Sequence, residues 1–224
     1  MKRLYLLLVV SVALFLPETV FANENANDSI NAQIELALKY IADGDAKGFY
    51  ILDRVANRGD AESQFIVGYC YAMIGQSISK STPQEAYSLL QRACYWYQKA
   101  ALQGNAVAQY SLGRCYFNGD GVGEDTSKAV YWFRKAAEQG NADAQLDLGA
   151  CYAMGTGVTM DLAQSVYWHR KAAEQGDARG QLTLGLFYRD GTGVEKNLSK
   201  AKFWLQKAAN QGLEAAQSIL NDLK

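Results

Sequence analysis

The chain has 224 residues, with 22 basic and 23 acidic side chains and a formal net charge of −1. No basic block or basic helix face stands out, which excludes the electrostatic footprint of a nucleic-acid-binding protein. Two prolines and abundant alanine favour helices over sheets, and a single histidine leaves little for a hydrolytic triad or a Cys/His zinc site.

Lys2 and Arg3 open the chain, an apolar run fills residues 4–16, and Val20-Phe21-Ala22 supplies small residues before a cut. That order is the layout of a secretory signal peptide, residues 1–22, cleaved after Ala22. The run is short of the ~20 residues a helix needs to span a bilayer. A soluble periplasmic or secreted protein without stable membrane insertion is therefore expected. Polar residues 23–31 read as a disordered leader. Residues 32–59 carry Ile34, Leu38 and Ile41 at helical spacing, a break at Gly44 and a second helical stretch ending at Gly59. They form a degenerate N-terminal helix pair, as terminal units of repeat arrays do.

One phrase then organises the chain. YWYQKAALQG at 95–104 returns as YWFRKAAEQG at 131–140, YWHRKAAEQG at 167–176 and FWLQKAANQG at 203–212, with closing glycines 36 residues apart. A fixed period of this size marks a repeat architecture. Asp60, Asn105, Asn141 and Asp177 each open a unit with a side-chain oxygen suited to N-capping a helix A. Gly68, Gly113, Gly149 and Gly185 recur inside that helix. A mid-helix glycine costs ~1 kcal/mol relative to alanine, so its recurrence implies a neighbour packed too close for a Cβ. A glycine-rich loop follows, then a helix B capped by Asp125, Asp161 or Asn197.

Two antiparallel helices per unit predict an all-α fold, an α-solenoid with the right-handed superhelix of tetratricopeptide arrays. The units are 60–104, 105–140, 141–176 and 177–212, closed by a capping helix over 213–224. The first is nine residues longer, the extra residues falling between Met73 and Ala93. Thr82-Pro83-Gln84-Glu85 reads as a capping box with proline at the first helical position, which predicts a helix B from near Pro83 to about Leu102.

The second unit spells a longer pattern: Ala106, Ala108, Gln109, Leu112, Gly113, Tyr116, Gly119, Gly121, Val122, Asp125, Lys128, Ala129, Trp132, Lys135, Ala136, Ala137, Glu138, Gln139 and Gly140. This resembles the signature of the Sel-one-like repeat family. The third and fourth units follow it, with Asn197 for the aspartate and Gly180 for one alanine, whereas the first lacks the G-x-G-V loop. The resemblance covers roughly residues 60–224 and implies an adaptor that presents helix A faces along a concave surface to a protein or peptide partner. It also implies kinship with exported bacterial members. Some of those are cysteine-rich and bind β-lactams, so a β-lactam- or peptidoglycan-interacting protein is the alternative.

No catalytic residue, cofactor site or metal site is expected. Gly119-Asp120-Gly121-Val122-Gly123 lacks the Lys-Ser/Thr of a P-loop and the strand of a dinucleotide loop, and its glycines recur with the fold. Ser77-Ile78-Ser79-Lys80 matches S-x-x-K without its partner motifs. His169 stands where Phe133, Tyr97 and Leu205 stand, a packed helix-face position. In an antiparallel hairpin Cys70 and Cys94 fall at the same height, which predicts a disulfide between them in an exported protein, with Cys115 and Cys151 as buried thiols.

Positions that repeat serve the fold, including the four tryptophans and Tyr71, Tyr116, Tyr152 and Tyr188. Positions that vary are therefore the candidates for binding. On helix A they are Glu62, Ile66, Tyr69 and Met73, then Val107, Ser111, Arg114 and Asn118, then Asp143, Asp147 and Met154, and finally Arg179, Thr183, Leu186 and Asp190. Aromatic, methionine and arginine side chains beside carboxylates are the mixture found at peptide-binding grooves.

Overall fold

The computed structural model describes residues 27–223, and every regular element in them is an α-helix. The first compact unit, ending at Gly123, holds α1 (Asn27–Ala42), α2 (Lys47–Ala56), α3 (Ala61–Ile78), α4 (Pro83–Leu102) and α5 (Ala106–Asn118). The second holds α6 (Thr126–Glu138), α7 (Ala142–Met154), α8 (Leu162–Glu174), α9 (Ala178–Asp190), α10 (Leu198–Asn210) and α11 (Glu214–Asp222). The signal-peptide expectation lies outside the described residues. No described helix is long and apolar enough to cross a membrane.

Residues 27–31, expected as disordered leader, are instead the first turn of α1. Half-buried Ile30 explains this, because it extends the apolar stripe of buried Ile34 and Leu38 by one turn. At the helix starts where the sequence offers a capping side chain, the pattern holds with one exception. Asp60 accepts from Ser63 N at 2.7 Å, and Asn105 and Asn141 from Ala108 N and Ala144 N at 2.8 Å. Asp125, Asp161 and Asn197 do the same for the helices that carry the tryptophans. Among the expected caps Thr82 is that exception: it occupies the N-cap of α4 with Pro83 behind it, but its side chain makes no capping bond. The expected capping box is not formed, and proline alone sets the start of that helix.

The recurring glycine of helix A has the reason the pattern implied. A Cβ on Gly68 would strike the Tyr97 ring, one on Gly149 the His169 ring, and one on Gly185 the Leu205 side chain. The two helices of a hairpin approach across this contact, and the residue facing the glycine changes from unit to unit. Farther along the first hairpin Gly75 faces Ala86 and Leu90, so α3 and α4 run antiparallel along their whole length. The extra residues lengthen both helices, to 18 and 20 residues, rather than forming a loose loop.

A second contact joins neighbouring hairpins. Gly121 has φ +73°, and a Cβ there would meet the backbone of Leu90 and Gln91 in α4. In the second unit Gly157 meets the backbone of Thr126 and Ser127 at the start of α6 in the same way. The G-x-G-V loop is thus a strap lying directly on the preceding helix B.

At the opposite end of the hairpins each repeat carries a buried glutamine amide. Gln109, Gln145 and Gln181 donate to the carbonyls of Ala101, Ala137 and Ala173, at 3.1, 3.1 and 3.3 Å, each at the end of the preceding helix B. Gln175 and Gln211, the glutamines of the closing phrase, donate in turn to the side-chain oxygens of Gln145 and Gln181 at 2.8 and 2.9 Å. Gln103 does so to Gln64 at 2.8 Å. The buried amides of Gln64, Gln109, Gln145 and Gln181 are therefore hydrogen-bonded, as buried polar groups must be, and the donors Gln103, Gln175 and Gln211 are exposed.

The tryptophans divide. Trp96 and Trp168 are buried, while Trp132 and Trp204 are half-buried. Each packs edge-on against the aromatic residue before it, with centroids 4.9–5.1 Å apart. Those preceding aromatics, Tyr95, Tyr131, Tyr167 and Phe203, are exposed, and each lies beneath a lysine one turn on.

Candidate partner-binding site

The first unit contains a cavity of about 240 Å³ between α3, α4 and α5. Five of the varying positions line it: Tyr69 and Met73 from α3, and Ser111, Arg114 and Asn118 from α5. The 4-3-4 spacing along each helix A puts those residues on one face, and the two helices share α4 as a floor. Leu90, Ala93 and Tyr97 supply that floor, and Tyr110, Gln76 and Asp120 complete the wall. The lining therefore combines apolar and aromatic surface with one guanidinium and one carboxylate. Burial raises the Tyr69 hydroxyl above its usual pKa of 10.0, which keeps it a neutral donor at physiological pH.

Sequence comparison between units did not single out Gln76, Leu90, Tyr97, Tyr110 or Asp120. Gln76 and Leu90 belong to the lengthened hairpin, whose nine extra residues were the available signal. Tyr110 stands where Phe65, Leu146 and Leu182 stand and reads as core by that register.

Other expected site residues are placed differently. Ile66 is only 2% exposed and belongs to the core, because it faces into the first unit rather than along the varying stripe. Glu62 and Val107 are exposed but lie off the cavity lining. In the second unit Arg179 Nη2 donates to Asp143 Oδ1 and to Asp177 Oδ2, both at 2.7 Å. Asp143 and Arg179 hold the same register in successive repeats, so equivalent helix A positions do lie side by side. Their charges are already matched, although an exposed pair of this kind contributes only ~0–1 kcal/mol. Asp190 is paired with Arg189 at 2.7 Å. Asp147, Thr183 and Leu186 are half-buried, and Met154 is exposed.

The cysteines require a correction. Cys70, Cys94, Cys115 and Cys151 are all free and buried, so the Cys70–Cys94 disulfide is not formed. Cys94 instead donates to the Asp120 carbonyl at 2.9 Å, and the Asp120 N–H donates to the carbonyl of Cys115 in the following repeat at 3.0 Å. The strap explains the change. Seating Gly121 on α4 folds the end of α5 back over Cys94, a contact invisible to a hairpin considered alone. Cys151 is a buried thiol whose pKa burial pushes up to about 11.

Ser77 and His169, also singled out in the sequence, each bond to a backbone carbonyl of their own helix. Ser77 donates its hydroxyl proton to the Ile74 carbonyl at 2.7 Å, and Lys80 lies in the turn beyond the end of α3. Among the described residues no group of three or more His, Cys, Asp or Glu side chains is placed to hold a metal.

His169 is buried over Gly149, with Nδ1 2.9 Å from the Ser165 carbonyl and its ring edge-on to Phe187. Burial lowers its pKa below 6.5. The folded state therefore resists a proton that the unfolded chain accepts, so stability is complete above about pH 6.5 and falls as pH drops toward the folded value. His169→Phe, the residue of the preceding repeat, is expected to remove that part of the acid sensitivity. Urea midpoints for both chains between neutral pH and about pH 5 measure it.

Against this geometry the family model of the Sel1 repeat matches residues 61–105, 106–141, 142–177 and 178–213. The chain belongs to the Sel1 repeat family. It is similar to a Sel1 repeat protein from Oxalobacter formigenes, with 33% identity and a TM-score of 0.68 over 84% of this chain and 74% of that one. It is also similar to c5321, a protective antigen present in uropathogenic Escherichia coli strains that displays the same repeat fold, with 33% identity and a TM-score of 0.59. That match spans 77% of this chain and 43% of c5321. A search of curated proteins finds no match. Sel1 repeat proteins generally act as scaffolds for protein–protein interaction and are typically non-enzymatic.

Proposed function

We propose that this Sel1 repeat protein is an exported, non-enzymatic adaptor. It binds a protein or peptide segment on its helix A face, with the cavity between α3, α4 and α5 as the anchor point. The observation that carries the reading is the convergence of Tyr69, Met73, Ser111, Arg114 and Asn118, all varying positions, on one cavity. Interfaces concentrate their binding energy in aromatic and arginine side chains seated in pockets, and this lining has that composition. An occupant with an apolar side chain and a neighbouring acceptor for Arg114 suits it. Export is supported by the order of charge, apolar run and small residues over residues 1–22.

The test compares capture of partners from a bacterial envelope extract by the unaltered protein and by Tyr69→Ala and Arg114→Glu. Each variant is expected to weaken capture about 10-fold or more. Gln98→Ala, an exposed position on α4 away from the cavity, is expected to leave it unchanged. Retention of every partner by both cavity variants would sink the proposal.

A further inference from the structure

Three of the four cysteines belong to the first unit, and two of them converge on one residue, Asp120. Cys94, on α4, directs its thiol to the Asp120 carbonyl at 2.9 Å. Cys115, in the last turn of α5, accepts the Asp120 N–H on its own carbonyl at 3.0 Å, and its thiol interacts electrostatically with that of Cys94. Asp120 is thus held from both sides by residues of successive repeats, which brings the two cysteines together. Both thiols are buried, Cys94 at 3% and Cys115 at 7% exposure, yet Cys115 also forms part of the cavity wall. A small reagent entering the cavity therefore meets one member of the pair. Cys70 does not line the cavity, and Cys151 belongs to the other unit.

We propose that Cys94 and Cys115 are a disulfide-forming pair that covalently joins helix B of the first repeat to helix A of the second. The oxidant is a disulfide, either a small dithio compound or a disulfide-exchange protein. The Cys115 thiolate attacks one sulfur of that disulfide from the cavity side, forming a mixed disulfide and expelling one thiolate. The Cys94 thiolate then attacks Cys115 Sγ and expels the second, so two protein thiols become one disulfide and the reagent becomes two thiols. The protons lost by the cysteines are taken up by the departing thiolates. The Cys94 thiol beside it, and then burial, keep Cys115 protonated well above the usual thiol range, so closure is fastest during folding or in alkaline solution. The bond would fix the Asp120 strap on α4 and with it one wall of the cavity. An oxidising compartment, as in the export reading, supplies such a donor. The pairing itself does not depend on what the cavity binds.

The test uses the full chain purified under reduction, exposed to excess oxidised glutathione at mildly alkaline pH, alkylated in denaturant and digested with trypsin. The expected product joins the peptide of residues 93–99 to that of residues 115–128, with Cys70 and Cys151 alkylated. It is retained in Cys70→Ser and lost in Cys94→Ser and Cys115→Ser. The oxidised chain is also expected to melt several degrees higher than its reduced form, a shift absent from both of the latter variants. Four alkylated cysteines, a stable glutathione adduct on Cys115, or a linkage to the peptide of residues 59–80, which holds Cys70, each overturns the proposal. Mapping of the unaltered chain alone carries these outcomes, so the test survives a serine variant that folds poorly.

Discussion

Gly157→Ala is expected to destabilise the second unit by about 3 kcal/mol. A left-handed backbone costs a residue with a Cβ ~1–2 kcal/mol, and Gly157 has φ +68°. The added carbon would also overlap the Thr126 backbone, which is fixed in the first turn of α6 and has no rotamer with which to move aside. Overpacking of that kind adds ~1–3 kcal/mol. Gly176→Ala separates the two causes. Gly176 has φ +97°, but a Cβ added there would find no heavy atom within 4 Å, so only the ~1–2 kcal/mol conformational cost applies. Urea unfolding of the two variants side by side measures the difference. Equal losses would mean that the strap does not seat tightly on α6.

The second large effect concerns the junction between the degenerate N-terminal pair and the first full repeat. Asp53, on α2, accepts from the Tyr71 hydroxyl at 2.9 Å and from Trp96 Nε1 at 3.3 Å. Its other oxygen pairs with Arg92 at 3.2 Å, and Arg92 also donates to the Tyr71 oxygen at 2.9 Å. One carboxylate therefore serves groups from α3 and α4, and Tyr71 is fully buried. Hydrogen bonds to a charged group contribute ~1.5–3 kcal/mol, and removing the acceptor leaves two donors to be desolvated without a partner. Asp53→Ala is expected to cost about 3 kcal/mol, read as a lower thermal midpoint. Asp53→Asn keeps an acceptor for Tyr71 but loses the charge facing Arg92, and should recover about half of that loss. If Asn and Ala behave alike, the charge rather than the hydrogen bonds holds the joint.

Most of this fold was legible because its causes are local. A side-chain oxygen after a glycine makes a cap wherever the next residues are helical, so Asp60, Asn105 and Asn141 could be read one unit at a time. The glycines of helix A were also legible, since a residue that costs stability in every unit must be required by a neighbour. Contacts that cross from one hairpin to the next were harder. Cys94 was matched to Cys70 because a single hairpin offers only that partner, whereas the strap that delivers Cys115 belongs to the following unit. Ile66 failed for a related reason. Its register suggested surface, but the first full repeat meets the degenerate pair rather than a regular repeat, and more of α3 is covered there. The candidate site was half visible. Tyr69 and Arg114 emerged from variation between repeats, while Leu90 and Gln76 lie in a stretch with no counterpart to compare.

The glutamine amides and the strap grip opposite ends of each hairpin, and this asymmetry governs how such a protein can change over evolutionary time. Gln64 and Gln103 lie near the start of α3 and the end of α4, where the two helices meet their neighbours through fixed hydrogen bonds. Any insertion there would break the step of Gln109 onto Ala101. The lengthened first repeat grew at the other end, beyond the point where Gly121 touches Leu90, and both helices simply gained turns. Whole-repeat duplication preserves every donor and acceptor, because each amide reaches back only one unit. Lineages of this protein should therefore differ in two ways, by the number of intact units and by the height of individual hairpin tips, while the glutamine-bearing base stays constant in length.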